Sequence, residues 1–423
     1  MPSPAENPIP GPAAQLDAML QEGLALFQQH RFAAARARFE DALPLAPNHP
    51  EIHKAIGDTL QGENRLSEAL PHWHRATALN PRFAAAWQNL GLGLEYFDHL
   101  DEAISCHQRA IELWPEDAKA HRLLGMALLD AGHLDEAQAR FDRALQLDPA
   151  DPENHWQKFF IMALRGEFPQ AWSEYEWRFK IPGRTTPERH FTKPKWRGEP
   201  LRGKTLFLHA EQGFGDTLQA VRYVPLLAEQ GARVILGCPP KLGSLLRTVQ
   251  GVSEVITEIP DSLAFDFHLP LISLPCLLGT TLTNAPRPLS YLAAPAGAHA
   301  LLPAAPGARL KVGLVWCGSL SQPLERRPVP LEELRPLFDV PGVAFHSLQV
   351  GGGSAELASC GFGNRIADLS PQLTDFAVTA AAIAQLDLII TVDTSVAHLA
   401  GALGKPTWLL LSFAPDWRWL RDG

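Results

Sequence analysis

The stretch Leu386-Asp387-Leu388-Ile389-Ile390-Thr391-Val392-Asp393-Thr394-Ser395-Val396-Ala397-His398-Leu399-Ala400-Gly401-Ala402-Leu403-Gly404-Lys405-Pro406 decides the reading of the second half of the chain. It opens as an apolar, β-branched run, which suits a buried strand. Polar Asp393-Thr394-Ser395 interrupts the run, and small residues at helical spacing follow until Gly404 and Pro406 stop them. The order is strand, turn, helix, stop. Thr394 or Ser395 can cap the helix, whose first N–H groups and positive dipole end suit a phosphate.

Working outward, the same alternation runs from Lys204 onward. Strands are expected at 205–209, 232–237, 252–256, 310–316, 343–349 and 408–411. Helices are expected at 216–230 (kinked at Pro225), 242–249, 331–338 and 376–385. Residues 264–275 carry no clear period, and 280–307, rich in Pro and Ala, reads as a connection between two lobes. Repeated strand–helix units imply a parallel sheet in each lobe, with ligands at the carboxyl ends of the strands.

The first half keeps a fixed step of 34. Gly23, Gly57, Gly91 and Gly125 share it, as do Ala35, Ala69, Ala103, Ala137 and Ala171, and Pro47, Pro81, Pro115 and Pro149. A large residue follows each Ala by four: Phe39, Trp73, His107, Phe141, Tyr175. Each period reads as two amphipathic helices that bury their apolar faces only by stacking on the next pair. The turn of the third period is placed at His99-Leu100-Asp101-Glu102. This pattern resembles the tetratricopeptide repeat. Four good repeats span 16–151, and a fifth at 152–185 has Phe159 where the Gly belongs, as a repeat packed against a neighbouring domain would. Such solenoids as a class bind proteins or peptides. His49 and His53 stand four apart, but Pro50 lies between them and metal binding is the lesser reading; the tryptophans read as packing residues.

Composition sets limits. The 423 residues are too many for one ordinary domain, and a net charge of −9 argues against general nucleic-acid binding. The five cysteines are scattered without a C-x-x-C pair, as expected of a reducing, cytoplasmic setting. No apolar run has the length of an integral membrane segment. Residues 1–15, rich in Pro and Ala, read as a disordered leader, and 186–203 as a linker.

A second glycine turn, Gln212-Gly213-Phe214-Gly215-Asp216-Thr217-Leu218, opens the first helix of the α/β half. Leu218 stands where a dinucleotide fingerprint needs its third Gly, and the next strand ends at Gly237-Cys238-Pro239 without a ribose-binding acid. A G-x-S-x-G elbow and a P-loop lysine are both absent from the sequence. The Gly-Phe-Gly-Asp turn together with the Asp-Thr-Ser-Val-Ala-His motif resembles the heptosyltransferase-like (family 9) glycosyltransferases of GT-B type. The expected fold is therefore an α-solenoid of tetratricopeptide repeats followed by an α/β GT-B-like unit of two Rossmann-like lobes, at 204–297 and 298–423.

The resemblance implies sugar transfer from a nucleotide-sugar to an acceptor, metal-independent and inverting, with no cofactor besides the donor. The acceptor is expected to be a protein recruited by the repeats, or else a lipopolysaccharide-type sugar; an inactive interaction scaffold is the remaining alternative. By position, Asp216 is implied as the general base, with capping of its own helix as the other reading. Asp393, Thr394, Ser395 and His398 are implied to contact donor sugar and diphosphate, His398 alternatively being a packed helix residue. Gln212, Gly213 and Gly215 let acceptor or phosphate approach the backbone. Ser319, Arg327 and Gln349 face the same cleft as candidate donor contacts, with a solvated loop the other reading for Arg326 and Arg327. The family leads one to expect a further helix crossing back to the first lobe, so the second lobe reads as short at its C-terminus.

Overall fold

The computed structural model describes residues 12–183, 189–318 and 328–420. It divides into two compact units, Met1–Ile161 and Met162–Gly423.

In the first unit, antiparallel helix pairs follow one another: Pro12–Gln28 with Phe32–Ala42, Pro50–Gly62 with Leu66–Leu79, Ala84–Tyr96 with Leu100–Leu113, and Ala118–Asp130 with Leu134–Leu147. The helix Pro152–Leu164 begins the next pair. The glycine period has a steric cause. A Cβ on Gly23, Gly57, Gly91 or Gly125 would lie 2.4–2.5 Å from Phe39, Trp73, His107 or Phe141, the large residue of the partner helix in the same repeat. Each Gly–aromatic pair thus fixes how closely the two helices approach. In the third repeat His107, fully buried, stands in for the aromatic ring, and its Nε2 lies 2.6 Å from Glu95 Oε1.

Two further devices share the step of 34. His53, Trp87, His121 and His155 each donate a ring N–H to the carbonyl of Pro47, Pro81, Pro115 and Pro149, at 2.9–3.0 Å. The ring at this position pins the junction between repeats, and that is the work of His53; among the described residues no cluster suits a metal ion. The turns hold His30, Asn64, Asp98, Gly132 and Gly166 at positive φ. The turn of the third repeat is therefore centred on Asp98, and Leu100-Asp101-Glu102 already belong to the helix Leu100–Leu113. The shift is a matter of chemistry: the left-handed position accepts Asn, Asp or His as well as Gly, so no single residue type marks it.

The second unit contains two parallel sheets. Strands β1 (Thr205–His209), β2 (Arg233–Gly237), β3 (Val252–Ile256) and β4 (Phe267–Pro270) lie in the order β3-β2-β1-β4. Strands β5 (Leu310–Val315), β6 (Val343–Ser347), β7 (Ile366–Asp368), β8 (Leu388–Val392) and β9 (Thr407–Leu410) lie in the order β7-β6-β5-β8-β9. Every pairing between these strands is parallel. Both are Rossmann-like orders, consistent with GT-B. Strand β4 lies within 264–275, where a buried strand and a following apolar turn run together without a readable period. The expected helix at 331–338 is a 3-10 helix, Leu331–Asp339, with Pro336 inside it.

Tail contacts complete the elements. Residues 194–196 add a short edge to the first sheet: Trp196 N–H donates to His268 O at 2.8 Å, and Lys195 bridges His268 in parallel. Gln170–Tyr175 packs within the second unit, where Trp172 Nε1 donates to Thr280 O at 2.9 Å. Arg178 is buried and forms a fork on Glu211 at 2.7 and 3.0 Å, just past β1. Among the described residues no helix is long and apolar enough to cross a membrane.

Candidate functional site

The two turns singled out above face each other. After β1 the chain turns at Gln212-Gly213 into the helix Phe214–Ala220, and after β8 it turns at Asp393-Thr394 into the helix Ser395–Ala402. These two helices pack together although they belong to different sheets. Between the lobes lies a cleft of about 720 Å³, lined by Gly213, Gly215, Asp216, Asp393, Thr394, Ser395, His398 and Gln349 among others. That volume falls in the range of small-molecule sites. Phe214 and Phe376 close one side of it, ring centroids 5.0 Å apart.

Gly215 makes the close approach possible. A Cβ there would sit 2.7 Å from His398 Cδ2 and 3.6 Å from Ser395 Cα. His398 is in turn stacked on Trp419, 5.1 Å between centroids and 17° between planes. Burial, with the Arg418 charge beside it, pushes the imidazole down to about 3. His398 is thus neutral near pH 7, a wall of the cleft with hydrogen-bonding capacity but no charge.

Thr394 is extended (φ −142°), and its Oγ1 accepts from Val396 N–H at 3.3 Å, capping Ser395–Ala402 as the sequence pattern requires. Thr391 Oγ1 meets Thr394 Oγ1 at 3.1 Å and fixes the hydroxyl in place. The far end of the same helix is closed as well: Tyr291 and Leu292 donate to Ala402 O at 2.9 and 3.1 Å, and Gly404 turns the chain at φ +71°. Lys405 Nζ donates to the carbonyls of Ala384 and Leu386 at 2.7 and 2.8 Å, tying the stop signal to the helix Phe376–Ala384.

Asp216 has both oxygens engaged. Gly213 N–H donates to Oδ2 at 3.0 Å, which is the helix-capping contact, and Arg418 Nη2 donates to Oδ1. Arg418 also holds Asp416 Oδ1 at 2.7 Å. Near the end of the described residues, the 3-10 turn Trp417–Trp419 lies against the first lobe. Trp417 packs on Phe168, Trp172 and Tyr175, while Arg418 reaches Asp216.

The remaining expected residues fall as follows. Gln212 lies at the β1 turn and its Oε1 accepts from buried Tyr175 at 3.0 Å. Gln349 lines the cleft but its amide is committed to the backbone: Oε1 accepts from Trp316 and Cys317 N–H, and Nε2 donates to Cys317 and Val350 carbonyls. It braces the ends of β5 and β6 rather than presenting a free amide. Ser319, Arg326 and Arg327 lie outside the described residues. Sequence reasoning missed Lys241, Asp375 and Arg418, all lining the cleft. Asp375 had a readable signal, an acid directly before an apolar helix, and it accepts from Val378 N–H at 2.9 Å. Lys241 and Arg418 had none, because only the packing of the lobes brings them to the cleft.

Residues 20–60 and 89–152 match the tetratricopeptide repeat family, and residues 352–410 match glycosyltransferase family 9 (heptosyltransferase). The latter segment contains Asp393, Thr394, Ser395 and His398; Asp216 lies outside it. Over 288 residues the chain is 27% identical to protein FlbA of Caulobacter vibrioides, covering 61% of this chain and 47% of FlbA. The match therefore spans about half the length of that relative. Similar solved structures include PilF of Pseudomonas aeruginosa, at 23% identity over 42% of this chain and 80% of that one, with a TM-score of 0.38. MamA from Desulfovibrio magneticus RS-1 shows 18% identity over 38% of this chain and 92% of that one, with a TM-score of 0.36. The chain thus carries segments that match the tetratricopeptide repeat in its first unit and a segment that matches glycosyltransferase family 9 (heptosyltransferase) in its second.

Proposed function

We propose that the second unit transfers a sugar from a nucleotide-sugar to an acceptor hydroxyl, with inversion, and that the repeats recruit a protein that is or carries the acceptor. The observation that carries this reading is the cleft itself, with the capped start of Ser395–Ala402 on one side and Asp216 on the other. The helix start offers Ser395 to a diphosphate, and Lys241 and Arg418 add positive charge. In the transfer, the acceptor oxygen bonds to the anomeric carbon as the bond from that carbon to the diphosphate breaks. Asp216 takes the hydroxyl proton, and the electron pair leaves with the nucleoside diphosphate. Thr394, Ser395 and His398 contact the donor; Gln212, Gly213 and Gly215 form the acceptor's approach. In this reading the positive groups of the chain stabilise the leaving group, and a resident metal has no assigned place.

One observation favours the rival reading of a non-catalytic scaffold: the Asp216 carboxylate is already paired with Arg418. Thermal unfolding in the presence of ADP-, UDP-, GDP- and CDP-sugars separates the two. The transferase reading expects one nucleotide class to raise the transition temperature. A well-folded chain stabilised by none of the four would leave the scaffold.

A further inference from the structure

Arg418 is the side chain that joins the two halves of the cleft. Its Nη2 holds Asp216 of the first lobe, its Nη1 holds Asp416, and its backbone lies next to Trp419, which stacks on His398 of the second lobe. Only 13% of the side chain is exposed, and that remnant lines the same cleft as Thr394 and Ser395. Its Nε and the neighbouring Trp419 Nε1 are buried with no hydrogen-bond partner. A buried guanidinium with an unpartnered N–H is costly, and such groups call for an explanation in function. The two carboxylates beside it keep it firmly protonated despite burial.

The same contact governs Asp216. With Oδ2 on Gly213 N–H and Oδ1 on Arg418, the carboxylate has its best lone pairs occupied by donors. A carboxylate held this way is not open to an acceptor hydroxyl, because both of its oxygens already accept hydrogen bonds from the chain. A ligand able to compete for the guanidinium would have to be anionic and would have to sit in the cleft. A diphosphate meets both conditions, and it binds an Arg fork as well as a carboxylate does.

Resting on the reading of the cleft as a donor site, we propose that Arg418 is a positioning residue that exchanges Asp216 for the donor diphosphate. With the donor bound, the guanidinium turns to the phosphate oxygens and Asp216 is released to accept the acceptor proton. Donor binding then precedes and licenses the base.

The test is calorimetric titration of ADP, UDP, GDP and CDP into the full chain, its Arg418→Met and Arg418→Lys variants, and Asp216→Asn. Loss of a charged hydrogen-bonding partner corresponds to about a ten- to hundredfold rise in Kd for Arg418→Met. Arg418→Lys should fall between Arg418→Met and the parent, since a point charge replaces the fork. Asp216→Asn should bind the nucleotide several-fold more tightly than the parent, because it removes the competitor for Arg418. That gain cannot arise from a misfolded variant. Parent-like affinity in a folded Arg418→Met, or weaker binding in Asp216→Asn, overturns the assignment and leaves the donor site standing. Failure of the parent chain to bind any of the four overturns the donor site and the assignment together.

Discussion

Gly215 offers a direct measure of how tightly the two lobes are set. In Gly215→Ala the new Cβ would meet His398 Cδ2 at 2.7 Å, where ordinary contact begins near 3.4 Å, a deficit of about 0.7 Å (3.4 − 2.7). His398 cannot swing away freely, because Trp419 is stacked on its ring. Overpacking of this kind costs about 1–3 kcal/mol, against a gain of about 1 kcal/mol in helix propensity for Gly to Ala. The net expectation is a loss of up to about 2 kcal/mol, centred near 1 kcal/mol, or about 2–4 °C in the transition of a unit this size. The assay is thermal unfolding of the full chain followed by scanning calorimetry, with Gly215→Ala, His398→Ala and the double variant compared. The two effects should be non-additive, the double variant recovering part of the Gly215→Ala loss because the clashing ring is gone. A fully additive double variant would refute the close-approach argument.

Other expectations follow from the same contacts. Arg178→Met takes the guanidinium away from buried Glu211 and should cost about 3–5 kcal/mol, whereas Arg178→Met with Glu211→Leu should recover most of it; equal losses in chemical denaturation would contradict this. Gly57→Val drives methyls toward fully buried Trp73, whose Nε1 is 2.5 Å from the added Cβ, so the repeats should lose about 1–3 kcal/mol, read by far-ultraviolet circular dichroism. His209, nearly inaccessible, is held down to about 3 by burial and by the charge of Arg189. Its folded pKa lies below the ordinary 6.5, so the unfolded chain takes up the proton first as pH falls. Stability from this residue is complete above about pH 6.5 and declines toward pH 3, by about 2 kcal/mol at pH 5. His209→Phe should flatten the dependence of the transition temperature on pH in that window, and an unchanged slope would count against it.

The repeat half was largely legible because one steric rule acts locally. Each Gly must face one large residue sixteen positions on, and this recurs every 34. What escaped was chemistry that several residue types can perform, as at the positive-φ turn of Asn64, Asp98 and Gly132. Of the candidate site, the Thr394 cap was legible because strand, cap and helix are adjacent in sequence. The Asp216 cap was foreseen as one of two readings for the same reason.

By itself the sequence determined the helix period of the first half, most strands of the second, and the turns at Gly213 and at Thr394. These are set by interactions a few residues long. Only the tertiary structure decided that the turns face one cleft, that Gln349 braces two strand ends, and that Arg418 lies on Asp216, 202 residues away. Those pairings depend on how two separately folded sheets pack, through contacts such as Gly215 against His398, and no local pattern carries that information.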